Sequence, residues 1–532
     1  MARTLQRTSS DATAPTADGR KWWVLVAMVF GLFMPMLDNL VVNVALPTIQ
    51  DKLGSGVSGL QWIIDAYTLT FASFMLTGGA LGDLYGRKRF FLTGLGVFVL
   101  GSLACGLSQS IDQLIVFRAV QGLGAAMLLP GTLSIITATF TGKERGAAIG
   151  IWAAMSGLAI ALGPLIGGWL VEHVSWQSIF FVNVPIGFVG ATLAWIVVRE
   201  SRDQSRSRRL DPPGLITGTS GLFFLVYALI EGNDRGWTDG VILGSFALSA
   251  VLLVTFFVIE SRREYPMLPL AFFRIPTFAA ANVVAASVFF ALFGSTFFLS
   301  LYLQNVRGFS PIGAGVRLFP FTVMILLIAP VAGRLSDRFG SRWFMTFGTL
   351  TLGTGLALAL RLQPDSSYMW VILPSMVVMG AGMASTMAPM TAAVMASVPV
   401  QRAGVASAAT NTSRELGGVF GIALLGAVVT SSFKRSFLAR LVDAGFPTRT
   451  ANAIVDKAGS AAASGSTHAV APPPGTSPQV VHTVQEAVRV SFTHSIHIAF
   501  LVAVGFAVLA SVVSAIFVRS HVGAGEDAAG GH

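Results

Sequence analysis

Five ionisable side chains, Asp38, Asp65, Arg118, Arg414 and Glu415, interrupt stretches of this 532-residue sequence that are otherwise apolar. Burial favours the neutral form of a carboxyl group and a nearby cation favours the charged form. A carboxylate poised between the two effects can load and release a proton. Asp38 stands beside Asn39 and Asn43, two amides one helical turn apart, and is read as a proton or cationic-substrate group. Asp65, in Trp62-Ile63-Ile64-Asp65-Ala66-Tyr67, is read as a group that attracts cationic substrate or passes protons. Arg118 keeps its charge at any relevant pH and shares a helical face with Gly122 and Ala126. Arg414 and Glu415 are neighbours in sequence, so on a helix they point about 100° apart and need not pair with each other. Gly417 and Gly421 beyond them suit close helix contact.

The elements that must carry these charges follow from composition. Apolar residues make up 53% of the chain and charged residues only 11%, with a mean hydropathy of +0.71. A soluble domain needs roughly a quarter charged residues to face water, so this surface faces lipid. Crossing the hydrocarbon takes roughly 20 apolar residues of helix. About fourteen such runs recur, near 22–46, 60–82, 90–108, 111–140, 145–171, 178–198, 214–231, 240–259, 278–304, 312–334, 343–361, 369–395, 404–430 and 495–518. Lipid offers backbone groups no outside partner, so the spans are helices. The fold class expected is an all-α polytopic membrane protein.

The formal net charge of +10 does not mark a nucleic-acid binder, because the basic residues fall between apolar runs instead of forming one face. With the N-terminus placed inside, Arg87, Lys88, Arg89, Arg199, Arg202, Arg262, Arg334, Arg338, Arg342 and others like them all fall on the cytoplasmic side. The short outside loops hold only Lys52, Arg235, Arg307 and Arg361, an asymmetry of about five to one that fixes the orientation. Residues 1–21 are then a cytoplasmic segment, not a cleavable signal, because the apolar run that follows is too long for one. The segment 431–493 reads as one long external loop, flexible in its Ala-, Ser- and Gly-rich middle around Pro472–Pro474. The segment 199–213 reads as a basic cytoplasmic linker resting on anionic headgroups, and 521–532 as a cytoplasmic tail. Cys105 is the only cysteine, which excludes an intrachain disulfide and a thiol metal site.

Two inside loops repeat one pattern. Gly79-Ala80-Leu81-Gly82-Asp83-Leu84-Tyr85-Gly86-Arg87 and Gly333-Arg334-Leu335-Ser336-Asp337-Arg338-Phe339-Gly340 place Gly, Leu, Asp and Gly at the same spacing. One joins spans two and three; the other joins the second and third of the last six. The chain therefore divides into a six-helix half (22–198), an inserted hairpin with its loop (214–276) and a second six-helix half (277–520). Repeats of this kind build secondary transporters whose substrate site lies between the halves. Asp83 and Asp337, each near a helix N-terminus and an arginine, are read as conformational latches.

These residues resemble the major facilitator superfamily, and within it the fourteen-span drug:proton antiporters, across about residues 20–520. Leu37-Asp38-Asn39-Leu40-Val41-Val42-Asn43-Val44-Ala45-Leu46-Pro47 is similar to that family's first-helix motif, with Leu40 where Thr is frequent. Gly79 to Arg89, with Gly86 and Arg87, matches the superfamily's loop motif, with Leu84 where Arg is common. Arg118, Gln121, Gly122 and Gly124 match its arginine motif. Gly157, Gly163, Pro164, Gly167 and Gly168 resemble the motif that marks antiporters, where Pro164 would kink span five into a hinge or seal. Trp176 and the run Phe180 to Gly187 resemble the start of its sixth span, with Gln177 where Arg is usual. The resemblance implies a proton antiporter exporting small amphiphilic or cationic molecules, with Arg118 setting the proton affinity of a neighbouring carboxylate. It implies a monomer in the cell membrane whose partners are substrate, protons and lipid, with no cofactor, no metal and no enzymatic activity.

Competing readings are an exporter of an endogenous metabolite or lipid, a solute importer, a membrane-embedded enzyme and a passive channel. Gly142-Lys143-Glu144 lacks the glycine and hydroxyl of a phosphate loop, and the sequence carries no HExxH or paired-cysteine site. His494 and His497 read as interfacial.

Overall fold

The computed structural model describes residues 18–53, 57–141, 143–202, 211–264, 266–462 and 478–519. Every regular element among them is helical. The first half holds α1 (Asp18–Leu53), α2 (Val57–Tyr85), α3 (Arg87–Gly106), α4 (Ile111–Thr139), α5 (Lys143–His173), α6 (Ser178–Phe181) and α7 (Asn183–Val197). The inserted hairpin is α8 (Pro212–Arg235) and α9 (Gly240–Arg262). The second half holds α10 (Pro276–Leu301), α11 (Pro311–Phe339), α12 (Ser341–Ala359), α13 (Leu373–Ala396), α14 (Ala403–Asp443), α15 (Thr448–Ala462) and α16 (Pro478–Phe517).

Among the described residues, 11 helical segments are long and apolar enough to cross a membrane. The other three runs expected from the sequence fall on α2, α5 and α12, helices of 29, 31 and 19 residues. The sixth run is split into α6 and α7. Pro185 has no N–H for the Phe181 carbonyl, which ends one helix and starts the next. α5 continues through position 164 to His173 as one helix.

One segment departs from the sequence reading. Most of 431–493 is helix instead of loop: α14 runs on to Asp443, α15 follows, and α16 starts at Pro478. The cause is a helical apolar stripe that outlasts the hydrophobic run. Phe433, Phe437 and Leu441 bury one face of α14, and Val484, Val488 and Phe492 bury one face of α16. Pro472–Pro474, most of the basic linker, the N-terminal 17 residues and the tail lie outside the described residues.

The two halves repeat their packing. α2 and α3 pack on α4, and α1 packs on α5 and α7; in the second half α11 and α12 pack on α13, and α10 packs on α14 and α16. The halves meet along two seams, α2 against α14 and α5 against α11. Both seams need glycine where backbones approach. A Cβ at Gly79 would lie 2.6 Å from the Gly404 carbonyl oxygen, and one at Gly333 would lie 2.6 Å from that of Gly146. Gly86 (φ 116°) and Gly340 (φ 84°) make the two equivalent turns between helices. The hairpin helix α8 packs on both α2 and α14, tied by Thr77 to Thr219 at 2.8 Å and by Asn233 Nδ2 donating to the Ala423 carbonyl at 3.1 Å.

Candidate functional site

Asp38, Arg118, Gln121 and Asn183, no more than 1% exposed, form one polar cluster inside the first half. Arg118 Nη1 pairs with Asp38 Oδ2 and donates to Gln121 Oε1 at 2.8 Å. Gln121 Nε2 and Asn183 Nδ2 both donate to Asp38 Oδ1, at 2.9 and 2.8 Å. Asn183 Nδ2 also reaches Ser102 Oγ at 3.0 Å, which in turn donates to the Phe180 carbonyl at 2.9 Å. Arg118 Nε donates to the Ile63 carbonyl at 3.1 Å, and the Tyr67 ring lies 4.3 Å beneath the guanidinium. Asp38 thus receives three donors from α4 and α7, an arrangement suited to an ionised carboxylate. Arg118 Nη2 is buried and has no acceptor among the described residues.

The second half buries its arginine differently. Arg414, 3% exposed, donates to Asn411 Oδ1 at 3.1 Å and to Thr391 Oγ1 at 2.5 Å. Its guanidinium lies 5.7 Å from the Trp152 ring centroid and 5.5 Å from that of Phe289. Trp152 belongs to α5 in the first half, so this contact crosses between halves. Arg414 Nε has no acceptor among the described residues. Glu415 is half-buried, and no hydrogen bond reaches its carboxylate among the described residues. Gly417 and Gly421 face the α10 backbone at Ala286 and Phe290.

The repeated loops close both seams at one end. Asp83, 3% exposed, accepts from Arg87 Nε at 2.8 Å and from Ser134 Oγ at 3.4 Å on Oδ1. Its Oδ2 accepts from the Val405 amide at 2.9 Å, in the first turn of α14, where the helix dipole favours an anion. Arg87 Nη2 reaches the Val400 and Gln401 carbonyls at 2.8 and 2.9 Å. In mirror position, the Asp337 carboxylate lies over Gly146 in the first turn of α5 and accepts a backbone hydrogen bond there. Asp337 is exposed where Asp83 is buried.

The remaining expected residues are dispersed. Asn43 is exposed and donates to the Asn39 carbonyl at 3.1 Å, away from the Asp38 cluster. Asp65 is half-buried on α2. Gly163 and Gly167 pack α5 on Leu40 and Val41 of α1, whereas Gly157 and Gly168 pack it on Ile325 and Ile312 of α11. The sequence reading did not single out Tyr67, Ser102, Trp152, Thr391 or Asn411. Their signal was present as isolated polar or aromatic groups within apolar runs, but such residues are common enough that only spatial convergence identifies these.

Residues 28–422 match the sequence model of the Major Facilitator Superfamily. The chain belongs to that superfamily. It is 35% identical over 94% of its length to the tetracenomycin C resistance and export protein of Streptomyces glaucescens, covering 92% of that protein. It is 38% identical over 76% of its length to the multidrug resistance protein Stp of Mycobacterium tuberculosis, covering 75% of that protein. Among solved structures, the superfamily's proton:xylose symporter XylE superposes with a TM-score of 0.60 at 14% identity, covering 95% of this chain and 97% of that one. This last likeness establishes the superfamily fold.

Proposed function

We propose that this superfamily member is a proton-coupled antiporter, not an enzyme, that exports drugs, antibiotics or other amphiphilic small molecules across the cytoplasmic membrane. It acts as a monomer with fourteen spans and both termini cytoplasmic, α2, α5 and α12 completing the set. Drug export is supported by relatives that are resistance and export proteins. Proton coupling rests on one observation: each half holds a carboxylate and an arginine at membrane depth, Asp38 with Arg118 and Glu415 beside Arg414.

Charges at that depth are costly and are kept where ions or substrates move. Asp38, Arg118, Arg414 and Glu415 are the coupling groups, with Asp65 and Asn43 lining the outward path. Glu415 can take a proton without breaking a hydrogen bond, and a cationic substrate competes with that proton for the same oxygens. One charge moving down 100 mV supplies about 2.3 kcal/mol, a gradient of roughly fiftyfold. Asp83 and Asp337 latch the cytoplasmic ends of the two seams, so this state is closed to the cytoplasm. Gly157, Gly163, Gly167 and Gly168 let α5 pack tightly enough to serve as a seal, and Pro164, which lacks an N–H, is the hinge residue of the motif.

The test is efflux of ethidium and of tetracenomycin C in energised inverted membrane vesicles, with and without an uncoupler. Uptake into the vesicles that the uncoupler abolishes is expected. Uptake that persists after the proton gradient is dissipated contradicts coupling.

A further inference from the structure

Between the two charged centres lies a side chain that neither owns. Tyr67 of α2 is 1% exposed. One face of its ring carries the Arg118 guanidinium at 4.3 Å. Its hydroxyl donates to the Pro35 carbonyl at 3.3 Å, one helical turn before Asp38 on α1. Its helix, α2, packs along α14 of the opposite half. The two helices are antiparallel along this seam: near one end Gly79 meets Gly404 and Ala408, and further along Leu69 shares an apolar cluster with Leu416 and Val419. That register brings Tyr67 level with Glu415, which lies within electrostatic range of the phenol. The charged groups facing Tyr67 are Asp38 from α1, Arg118 from α4 and Glu415 from α14.

We propose that Tyr67 is the positioning residue that couples the Asp38–Arg118 pair of the first half to Glu415 of the second. The inference rests on the proton-antiport reading. Arg118 holds Asp38 through Nη1, and its Nη2 lacks an acceptor among the described residues. The aromatic face then confines Arg118 to the α2–α14 seam, where Glu415 is the next carboxylate. Pairing of Arg118 with ionised Glu415 draws the halves together there, and protonation of Glu415 releases them. The ring is the essential part, because a cation held on an aromatic face in a dry site is strongly retained. The hydroxyl only fixes the ring against α1.

The experiment uses the full chain in liposomes with ethidium as substrate. Two rates are read: uptake driven by an imposed pH gradient, and exchange of internal for external ethidium at equal pH. Tyr67→Leu is expected to slow gradient-driven uptake about thirtyfold, matching loss of a desolvated cation–π contact, while exchange stays within about threefold. Tyr67→Phe keeps both rates within about threefold of the parent. In a Glu415→Gln background, Tyr67→Leu adds no further loss, since the coupled group is already gone. Driven uptake in Tyr67→Leu that stays near the parent rate overturns the proposal. So does a parallel loss of driven uptake and exchange, which marks a packing role, or additive losses in the double variant. A parent protein that exchanges ethidium but ignores the gradient sinks the proton-antiport reading itself, before any Tyr67 variant is compared.

Discussion

In the first half, Asp38 accepts from Arg118, Gln121 and Asn183; in the second, Glu415 accepts from nothing among the described residues, and the adjacent Arg414 is held by Asn411, Thr391 and two aromatic rings. A carboxylate and an arginine therefore stand in opposite arrangements in the two halves. The first half offers a closed ion pair whose members depend on each other. The second offers a cation satisfied by neutral groups and a carboxylate left available. The two halves repeat their helix packing, while the two charged centres, one on α1 and α4 and the other on α14, differ in chemistry.

The two repeated loops differ in the same direction. Asp83 is buried and receives a guanidinium, a hydroxyl and a backbone amide, whereas Asp337 is exposed over Gly146. The Asp83 carboxylate is thus held by more hydrogen bonds than Asp337, although α5 and α11 pack along each other more extensively than α2 and α14 do.

The contrast is broken most sharply at Arg118. Arg118→Met leaves Asp38 as an uncompensated buried charge, and a destabilisation of about 3–5 kcal/mol is expected, read as thermal unfolding of the detergent-purified protein. A loss under about 1 kcal/mol would show that the pair is not closed. The latches come next. Because Cys105 is buried, a cysteine introduced at the buried Ser407 of α14 reports opening against a quiet background. Asp83→Asn should speed its labelling from the cytoplasmic side about tenfold or more, and Asp337→Asn less than about threefold. Equal effects would erase the asymmetry. Glu415→Gln should change stability by less than about 1 kcal/mol, because no hydrogen bond is lost, yet slow gradient-driven transport about thirtyfold, to a residual rate that is still measurable. Ser102→Ala, which removes the hydroxyl that accepts from Asn183 at the edge of the Asp38 cluster, should cost about 0.5–1.5 kcal/mol and leave coupling intact.

Much of this was readable before the structure, for reasons that differ by region. Lipid demands long apolar helices, so the spans and the repeated Gly79 and Gly333 loops stand out in one dimension. Asp38, Arg118, Arg414 and Glu415 stand out because charge is rare there. What joins them is not legible. Asn183 lies 145 residues from Asp38 and is an unremarkable amide in its own run. The tight Gly157 and Gly168 contacts with α11 depend on a partner helix more than a hundred residues away. The helices beyond the membrane were missed because hydropathy falls off after Val429, while the stripe Phe433, Phe437 and Leu441 continues at helical spacing and buries against its neighbours.

The most direct test of a held pair opposed to an exchangeable carboxylate is proton release on substrate binding, measured with a pH indicator on the purified protein in weakly buffered detergent solution. Ethidium is expected to release protons from the parent and from Ser102→Ala, and none from Glu415→Gln. Undiminished release from Glu415→Gln would contradict the assignment of Glu415 as the site where substrate and proton compete.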